Sequence, residues 1–110
     1  MACDVDRLIR QIVEFRDQRN WAQFHNPKDL ALGLSIEAAE LNELFLWKKA
    51  DDADPARVRE ELADILIYAL MLLEKYDLDL EEIILKKLAA NEKKYPVDKA
   101  RNNAIKYTDL

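Results

Sequence analysis

Apolar residues recur along this chain with the spacing of α-helices. In residues 27–48 and again in residues 55–76 they fall three or four positions apart, which places them on one face of a helix at about 100° per residue. The predicted stripes are Leu30, Leu34, Leu41, Leu44 and Phe45 in the earlier segment, and Val58, Leu62, Ile65, Ala69, Leu72 and Leu73 in the later one. The pattern therefore predicts amphipathic helices that pack through these stripes.

Prolines and capping residues mark where the helices begin and end. Asn26 and Asp54 each precede a proline, so each supplies an N-cap followed by proline at the first helical position. Asp79 begins a variant of the capping box, and Pro96 blocks continuation of the last long helix. We predict four helices, over residues 4–20, 27–48, 55–76 and 80–95. The polar tail, residues 97–110, carries no predicted element.

Composition narrows the fold class to all-α. The 110 residues include one Gly and three Pro, too few for the turns of a β-sandwich or barrel and too few for a glycine-rich phosphate loop. Half of the residues are hydrophobic and 35% are charged, which is typical of a folded amphipathic-helix protein and not of a disordered chain. We therefore expect one all-α, four-helix-bundle-like domain over residues 1–110.

The third predicted helix contains an uninterrupted apolar run, ILIYALMLL, at residues 65–73. Its nine residues are too few to cross a bilayer, which takes about 20. A helix that is apolar on every side must be buried on every side, either at the centre of a monomeric bundle or in an oligomer. The oligomer is the interpretation that the run favours.

The charge and the cysteine content of the chain limit the binding partners and the cellular compartment that we expect. The net charge of −5 offers no general field for nucleic-acid phosphates, so we expect no nucleic-acid partner. Cys3 is the only cysteine and permits no intrachain disulfide. The segment MACDVDRLIR has charges where a signal peptide needs an apolar core. We expect a cytoplasmic protein without a membrane partner.

Two acidic pairs lie against the apolar stripes. Glu37 falls within the stripe of the second predicted helix with Glu40 one turn on, and Glu61 and Asp64 flank the stripe of the third. Burying several ionised carboxylates is costly unless a cation compensates them. Ligands that are all oxygen suit Mg²⁺, with Mn²⁺ as a substitute. The alternative is that the pairs are solvated, or salt-bridged as in any highly charged helix.

Residues suited to nucleotide binding occur in two other places. Lys87, Asn91 and Tyr95 are spaced by four on the last long helix, so a cation, an amide and a phenol could contact one nucleotide, or else form an ordinary helix rim. Trp21 and His25 share a short connection before a helix, where aromatic rings could stack on a nucleobase.

Trp47 ends the second predicted helix. The two tryptophans could equally plug the ends of the bundle. Gly33 lies one turn before Glu37, where an interior glycine predicts close approach by a ligand or a neighbouring helix.

The acidic pairs and their surroundings resemble a known family. E-x-x-E at Glu37 and Glu40, followed by E-x-x-D at Glu61 and Asp64, is similar to the metal motif of the all-α nucleoside triphosphate pyrophosphohydrolases of the MazG and dUTPase type. The stretch RNWAQFHNPKDLALGLSIEAAELNELFLWK and the tail KKYPVDKARNNAIKYTDL resemble the dCTP pyrophosphatase branch and its small MazG-like relatives. The resemblance covers nearly the whole chain, and W-x-x-F-H-x-P is its most specific segment.

The resemblance implies a MazG fold assembled as an intertwined homotetramer, a dimer of dimers. It implies hydrolysis of a deoxynucleoside triphosphate between the α and β phosphates, with dCTP or modified dCTP favoured and dATP as a further candidate, and a role in clearing noncanonical nucleotides. The metal ligands it implies for Mg²⁺ are Glu37, Glu40, Glu61 and Asp64. Glu37 or Glu40 would then orient or deprotonate the attacking water.

The resemblance also implies substrate contacts. Trp21 and His25 would line the base pocket, and Trp47 would belong to its aromatic wall. The nucleotide contacts would come from Lys87, Asn91 and Tyr95, with Lys94, Arg101 and Lys106 as further candidates for phosphate.

Two other functions stay open. A phosphoribosyl-ATP pyrophosphohydrolase uses a similar acidic bundle, and a non-enzymatic helical oligomerisation module would carry the same acids in salt bridges.

Overall fold

The computed structural model describes residues 3–110, and the regular structure within that range is helical throughout. The first two residues of the predicted domain lie outside it. The elements are α1 (Val5–Gln18), α2 (Pro27–Glu43), α3 (Pro55–Lys75), α4 (Leu80–Lys94) and α5 (Val97–Ala100), with 3₁₀ turns at Ala22–Phe24, Ala50–Asp52 and Tyr107–Asp109. The all-α prediction is confirmed. None of the helices within residues 3–110 has both the length and the apolar character needed to span a membrane.

The predicted starts of α2, α3 and α4 are confirmed together with their caps. The side chains of Asn26, Asp54 and Asp79 each accept a hydrogen bond from a backbone N–H two or three residues further on, at 2.9–3.0 Å. These bonds satisfy N–H groups that have no partner inside the helix. Local sequence alone therefore determines where these three helices begin.

The predicted end of α2 is wrong. The helix was expected to continue to residue 48, but it ends at Glu43. The N–H groups of Leu44, Phe45 and Leu46 bond to carbonyls three residues back, at 3.0–3.2 Å, and Trp47 then adopts a φ of 62°. A residue with positive φ cannot continue a right-handed helix. The apolar spacing runs on past this break, and no proline or glycine marks it.

The chain divides into two compact units, the first ending at Leu78 and the second running over Asp79–Leu110. In the first unit, α2 packs along α3 and α1 also contacts α3. Its buried apolar residues are Leu30, Leu44, Ala53, Met71 and Leu73. In the second unit the tail returns to the end of α4, where the Tyr107 ring meets Tyr95 edge-on at 5.9 Å and lies 4.9 Å from the Lys94 Nζ.

Arg16 joins α1 to α3 through a buried ion pair. Its guanidinium donates to Asp17 Oδ1 at 2.9 Å and to Glu74 Oε2 at 3.2 Å. The hydrogen bond to Asp17 raises the pKa of Arg16, and Glu74 acts in the same direction. Because a buried guanidinium without partners is strongly unfavourable, these bonds fix how α1 lies on α3.

Gly33 is a point of close approach between α2 and α3. A Cβ at this position would lie 2.5 Å from Tyr68 Cε1, so any larger residue would displace the tyrosine ring. The close approach predicted for Gly33 is therefore made by a neighbouring helix. This contact lies one turn before Glu37 on α2 and one turn after Asp64 on α3.

The apolar run of α3 is covered over residues 68–73, which are all buried or half-buried, and is exposed near its start. Met71 and Leu73 are in the core, whereas Leu66 is 53% exposed and Ile67 is also exposed. A helix at the centre of a monomeric bundle would be covered all round, and Leu66 and Ile67 are not covered in this way.

Candidate metal centre

Three carboxylates converge where α2 packs along α3. Oxygen atoms of Glu37, Glu61 and Asp64 all lie within 4.8 Å of one another, and we call these three residues the acidic cluster. Glu40, one turn further along α2, is exposed and lies outside this set, but it is close enough to influence both glutamates. The structure therefore brings together three of the four predicted ligands and places the fourth beside them.

Two oxygens of the acidic cluster are buried without a partner. Glu37 and Glu61 are half-buried, and the Oε2 atom of each is shielded from solvent and accepts no hydrogen bond within residues 3–110. The described part of the chain also shows no lysine or arginine paired with either carboxylate within 4.0 Å. Because a buried carboxylate oxygen without a partner is unfavourable, this arrangement calls for a cation. The salt-bridged alternative has no partner in this part of the molecule.

The electrostatics of the acidic cluster follow from its geometry. Burial raises the pKa of Glu37 to about 7, and the nearby carboxylates of Glu40 and Asp64 add to the effect. Burial and the Glu40 carboxylate also raise the pKa of Glu61. Near neutral pH, Glu37 can therefore both take up and release a proton. The donors are all carboxylate oxygens, which suit a hard divalent cation.

Trp21 and His25 lie together at the turn that follows α1. The Trp21 ring, 42% exposed, meets the Phe15 ring edge-on at 5.9 Å and the His25 ring edge-on at 6.3 Å. His25 Nδ1 is buried and has no hydrogen-bond partner among the described residues. Burial lowers the pKa of His25, and the charges of Arg16 and Lys75 lower it further. The imidazole is therefore neutral at pH 7, with one donor and one acceptor nitrogen.

Trp47 stands clear of the rest of the chain. It is 98% exposed and has a φ of 62°, a conformation that is rare for a bulky residue. The alternative in which Trp47 plugs the end of the bundle is wrong for the single chain. A strained backbone that presents an exposed aromatic ring is a feature often found at binding sites.

The predicted ladder Lys87, Asn91 and Tyr95 belongs to the second unit. Lys87 is exposed and Asn91 is half-buried on α4, while Tyr95 is the residue that caps the helix. The Tyr95 N–H donates to the Asn91 carbonyl at 2.8 Å, so the spacing of four continues to the helix end. Arg101 and Lys106 are exposed in the tail of the same unit. Their contacts with a nucleotide stay predictions.

Three residues beside the predicted site residues were not themselves predicted from the sequence: Phe15, Arg19 and Tyr68. The Arg19 guanidinium lies 3.7 Å from the centre of the Phe15 ring, beside Trp21, and Tyr68 packs on Gly33. A signal for the first pair was present, because Phe15 and Arg19 are four residues apart within the predicted helix 4–20. The signal for Tyr68 was weaker. Tyr68 follows Asp64 by four residues, so the two side chains share one face of the helix.

The chain is similar to known proteins over most of its length. The sequence model of the MazG-like family matches residues 32–110, which include the acidic cluster and Glu40. The dCTP pyrophosphatase 1 of Bos taurus is 43% identical over 96% of this chain and 68% of its own length. The protein of that name from Homo sapiens is 40% identical over 96% of this chain and 67% of its own.

A solved structure shows the same fold. The crystal structure of a pyrophosphatase from Archaeoglobus fulgidus matches with a TM-score of 0.80 and 38% sequence identity, covering 87% of this chain and 95% of that one.

Proposed function

This chain belongs to the MazG-like family and is a nucleoside triphosphate pyrophosphatase, and we propose that it acts on deoxynucleoside triphosphates, with dCTP or base-modified dCTP as the favoured substrate and dATP as a further candidate. The observation that carries this proposal is the acidic cluster, in which two buried carboxylate oxygens lack partners. Relatives named dCTP pyrophosphatase, at about 40% identity over 96% of the chain, support the choice of base.

The proposed cofactor is Mg²⁺, for which Mn²⁺ would substitute. Glu37, Glu61 and Asp64 would hold it, and Glu40 is available one turn away. The all-oxygen donor set and the unpartnered Oε2 atoms fit such an ion. When bound, a divalent cation neutralises the phosphates and stabilises the charge of the departing pyrophosphate.

The proposed reaction is hydrolysis of the bond between the α and β phosphates. A water oxygen forms a new bond to phosphorus as the bridging P–O bond breaks, releasing a deoxynucleoside monophosphate and pyrophosphate. A proton from that water must be taken up, and Glu37 or Glu40 is the proposed acceptor. Glu37 is suited to this step because burial brings its pKa close to neutrality. Glu40 is exposed, so it is reachable by solvent water.

The base would bind at the aromatic residues. Trp21 offers an exposed indole for stacking, and neutral His25 offers one donor and one acceptor for a base edge. Trp47 would form a further wall of the pocket, and Lys87, Asn91 and Tyr95 would contact the nucleotide. The result would be removal of noncanonical nucleotides before polymerases use them.

The proposed assembly is a homotetramer, built as a dimer of dimers. Its support is the apolar surface that one chain leaves exposed: Leu32 (57%) and Ile36 on α2, Leu66 on α3, and Leu85 and Leu88 on α4. Exposed apolar side chains that together form a patch mark surfaces that bind another protein chain.

Light scattering is expected to give a mass four times that of one chain, and Leu66→Asp is expected to lower it. A monomeric mass for the unmodified chain would contradict the assembly.

We expect purified protein with Mg²⁺ to release pyrophosphate and monophosphate from dCTP in equal amounts. The assay would include the other deoxynucleotides, 5-substituted dCTPs and phosphoribosyl-ATP, with Mn²⁺ as an alternative cation and EDTA as a control. Faster turnover of phosphoribosyl-ATP would favour that alternative function. If no nucleotide released pyrophosphate and none raised the unfolding temperature of the protein, the non-enzymatic oligomerisation module would be the remaining function.

A further inference from the structure

A cation–π contact lies beside Trp21, the tryptophan that is proposed to stack on the substrate base. The Arg19 guanidinium lies 3.7 Å from the centre of the Phe15 ring and 5.9 Å from that of Trp21, and the two rings meet edge-on at 5.9 Å. Arg19 also donates from Nη1 to the Phe15 carbonyl oxygen at 2.9 Å. We call Phe15, Arg19 and Trp21 the aromatic clamp.

The turn after α1 explains how these three residues meet. Asn20 adopts a φ of 53°, which asparagine tolerates better than most residues and which prevents α1 from continuing. The Trp21 N–H then bonds to the Arg16 carbonyl at 3.0 Å, which fixes the main chain of Trp21 against the end of α1. The indole consequently lies beside the ring of Phe15, which is in the last turn of α1.

The charge of Arg19 is not used elsewhere in the described residues. Within residues 3–110, no carboxylate oxygen lies within 4.0 Å of the Arg19 guanidinium. The ion pairs with Asp17 and Glu74 are made by Arg16 instead. A guanidinium over an aromatic ring is a favourable contact that also limits the motion of both groups.

We propose that Arg19 is a positioning residue that holds the Trp21 indole in the orientation that receives the substrate base. This inference rests on the proposed role of Trp21 in base binding. A ring that is fixed before binding loses less conformational entropy when the base stacks on it. Arg19 would therefore strengthen nucleotide binding without touching the reacting atoms.

The experiment uses a Trp47→Phe parent, in which Trp21 is the only tryptophan. In this parent, Arg19→Gln removes the cation, Arg19→Lys retains the charge without the planar stack, and Arg7→Gln is a matched control on the same helix. Time-resolved fluorescence anisotropy reports the local motion of Trp21. Calorimetry with Mg²⁺ and α,β-imido-dCTP, which resists hydrolysis, gives the nucleotide Kd, and steady-state kinetics separate KM from kcat.

Arg19→Gln is expected to increase the fast local motion of Trp21 and to raise Kd and KM about two- to fivefold with kcat unchanged. Arg19→Lys should recover part of the effect, and Arg7→Gln should match the parent. Combined with Trp21→Leu, Arg19→Gln should weaken binding no further, because the two residues act through one contact.

Unchanged anisotropy in Arg19→Gln would overturn the inference. The inference would also be overturned if Arg19→Gln lowered the nucleotide affinity equally in the presence and in the absence of Trp21, because Arg19 would then contact the nucleotide directly. If Trp21→Leu binds nucleotide as the parent does, the base role of Trp21 and the inference both fail, while pyrophosphate release by that variant would leave the proposed activity intact.

Discussion

Replacing Glu37 with glutamine is expected to lower the rate of pyrophosphate release by about 10²–10⁴-fold, the range over which a positioned acid or base contributes to a reaction. The change keeps the shape of the side chain but removes a carboxylate from the acidic cluster, where the Oε2 atoms of Glu37 and Glu61 are buried without partners. It therefore removes a proposed ligand and a candidate proton acceptor together. Initial rates at saturating dCTP and Mg²⁺ would measure the loss.

Two matched variants separate this effect from a general loss of negative charge. Glu43→Gln changes an exposed residue at the end of α2, and Glu60→Gln changes an exposed neighbour of Glu61 on α3. Both are expected to keep the rate of the unmodified protein within about twofold, because exposed substitutions usually change little. Full activity of Glu37→Gln would contradict the proposed role of the cluster.

Without divalent cations, Glu37 is expected to make the protein more stable near pH 5 than near pH 8. The pKa of Glu37 is about 7 in the folded chain against an ordinary value of 4.5, so the folded state binds more protons than the unfolded state between these values. The free energy of unfolding therefore falls as pH rises from about 4.5 through about 7. After allowance for solvent screening, the contribution of Glu37 is about 1–2 kcal/mol.

The difference between wild type and Glu37→Gln isolates this contribution. His25 acts in the opposite direction, because its lowered pKa makes its contribution disappear as pH falls, but both proteins retain it. Urea unfolding in EDTA at pH 5, 6, 7 and 8 would show a flatter pH dependence for the variant. The same slope in both proteins would contradict the buried, protonatable Glu37.

Mg²⁺ is expected to reverse the loss of folding stability at alkaline pH. The ionised cluster at pH 8 is the form that binds a cation, and a ligand at 100 times its Kd stabilises a protein by about 2.7 kcal/mol. The same titration with Mg²⁺ should therefore restore stability at pH 8 in the wild type and much less in Glu37→Gln. No stabilisation of the wild type would count against a metal centre.

Helix starts were predictable because they depend on a few adjacent residues. Asn26, Asp54 and Asp79 cap the helices that they were expected to cap, with bonds to N–H groups two or three residues away. The end of α2 was not predictable in this way. The break between Glu43 and Trp47 consists of tightened backbone bonds and a positive φ at a tryptophan, and neither has a signature in apolar spacing.

The candidate site was predictable in its residue types and less so in its geometry. The two acidic pairs were visible in the sequence, and the spacing placed Glu37 within an apolar stripe, but it gave Glu61 and Asp64 the same position beside the other stripe. The structure distinguishes them, since Glu37 and Glu61 are half-buried, whereas Glu40 and Asp64 are exposed. That difference depends on how deeply each side chain lies between α2 and α3, which spacing along the sequence does not give.

The sequence by itself determined the all-α class, the helix starts, the acidic motif and the family resemblance, because each depends on residue type and short-range spacing. Only the tertiary structure decided which carboxylates share a cluster, which of their oxygens are left without partners, and that Arg19 stacks on Phe15 beside Trp21. Those outcomes depend on packing between helices and on the left-handed backbone of Asn20 after α1. The physical reason is that burial and the distances between charges are properties of the folded arrangement, and these two quantities determine which acids need a cation.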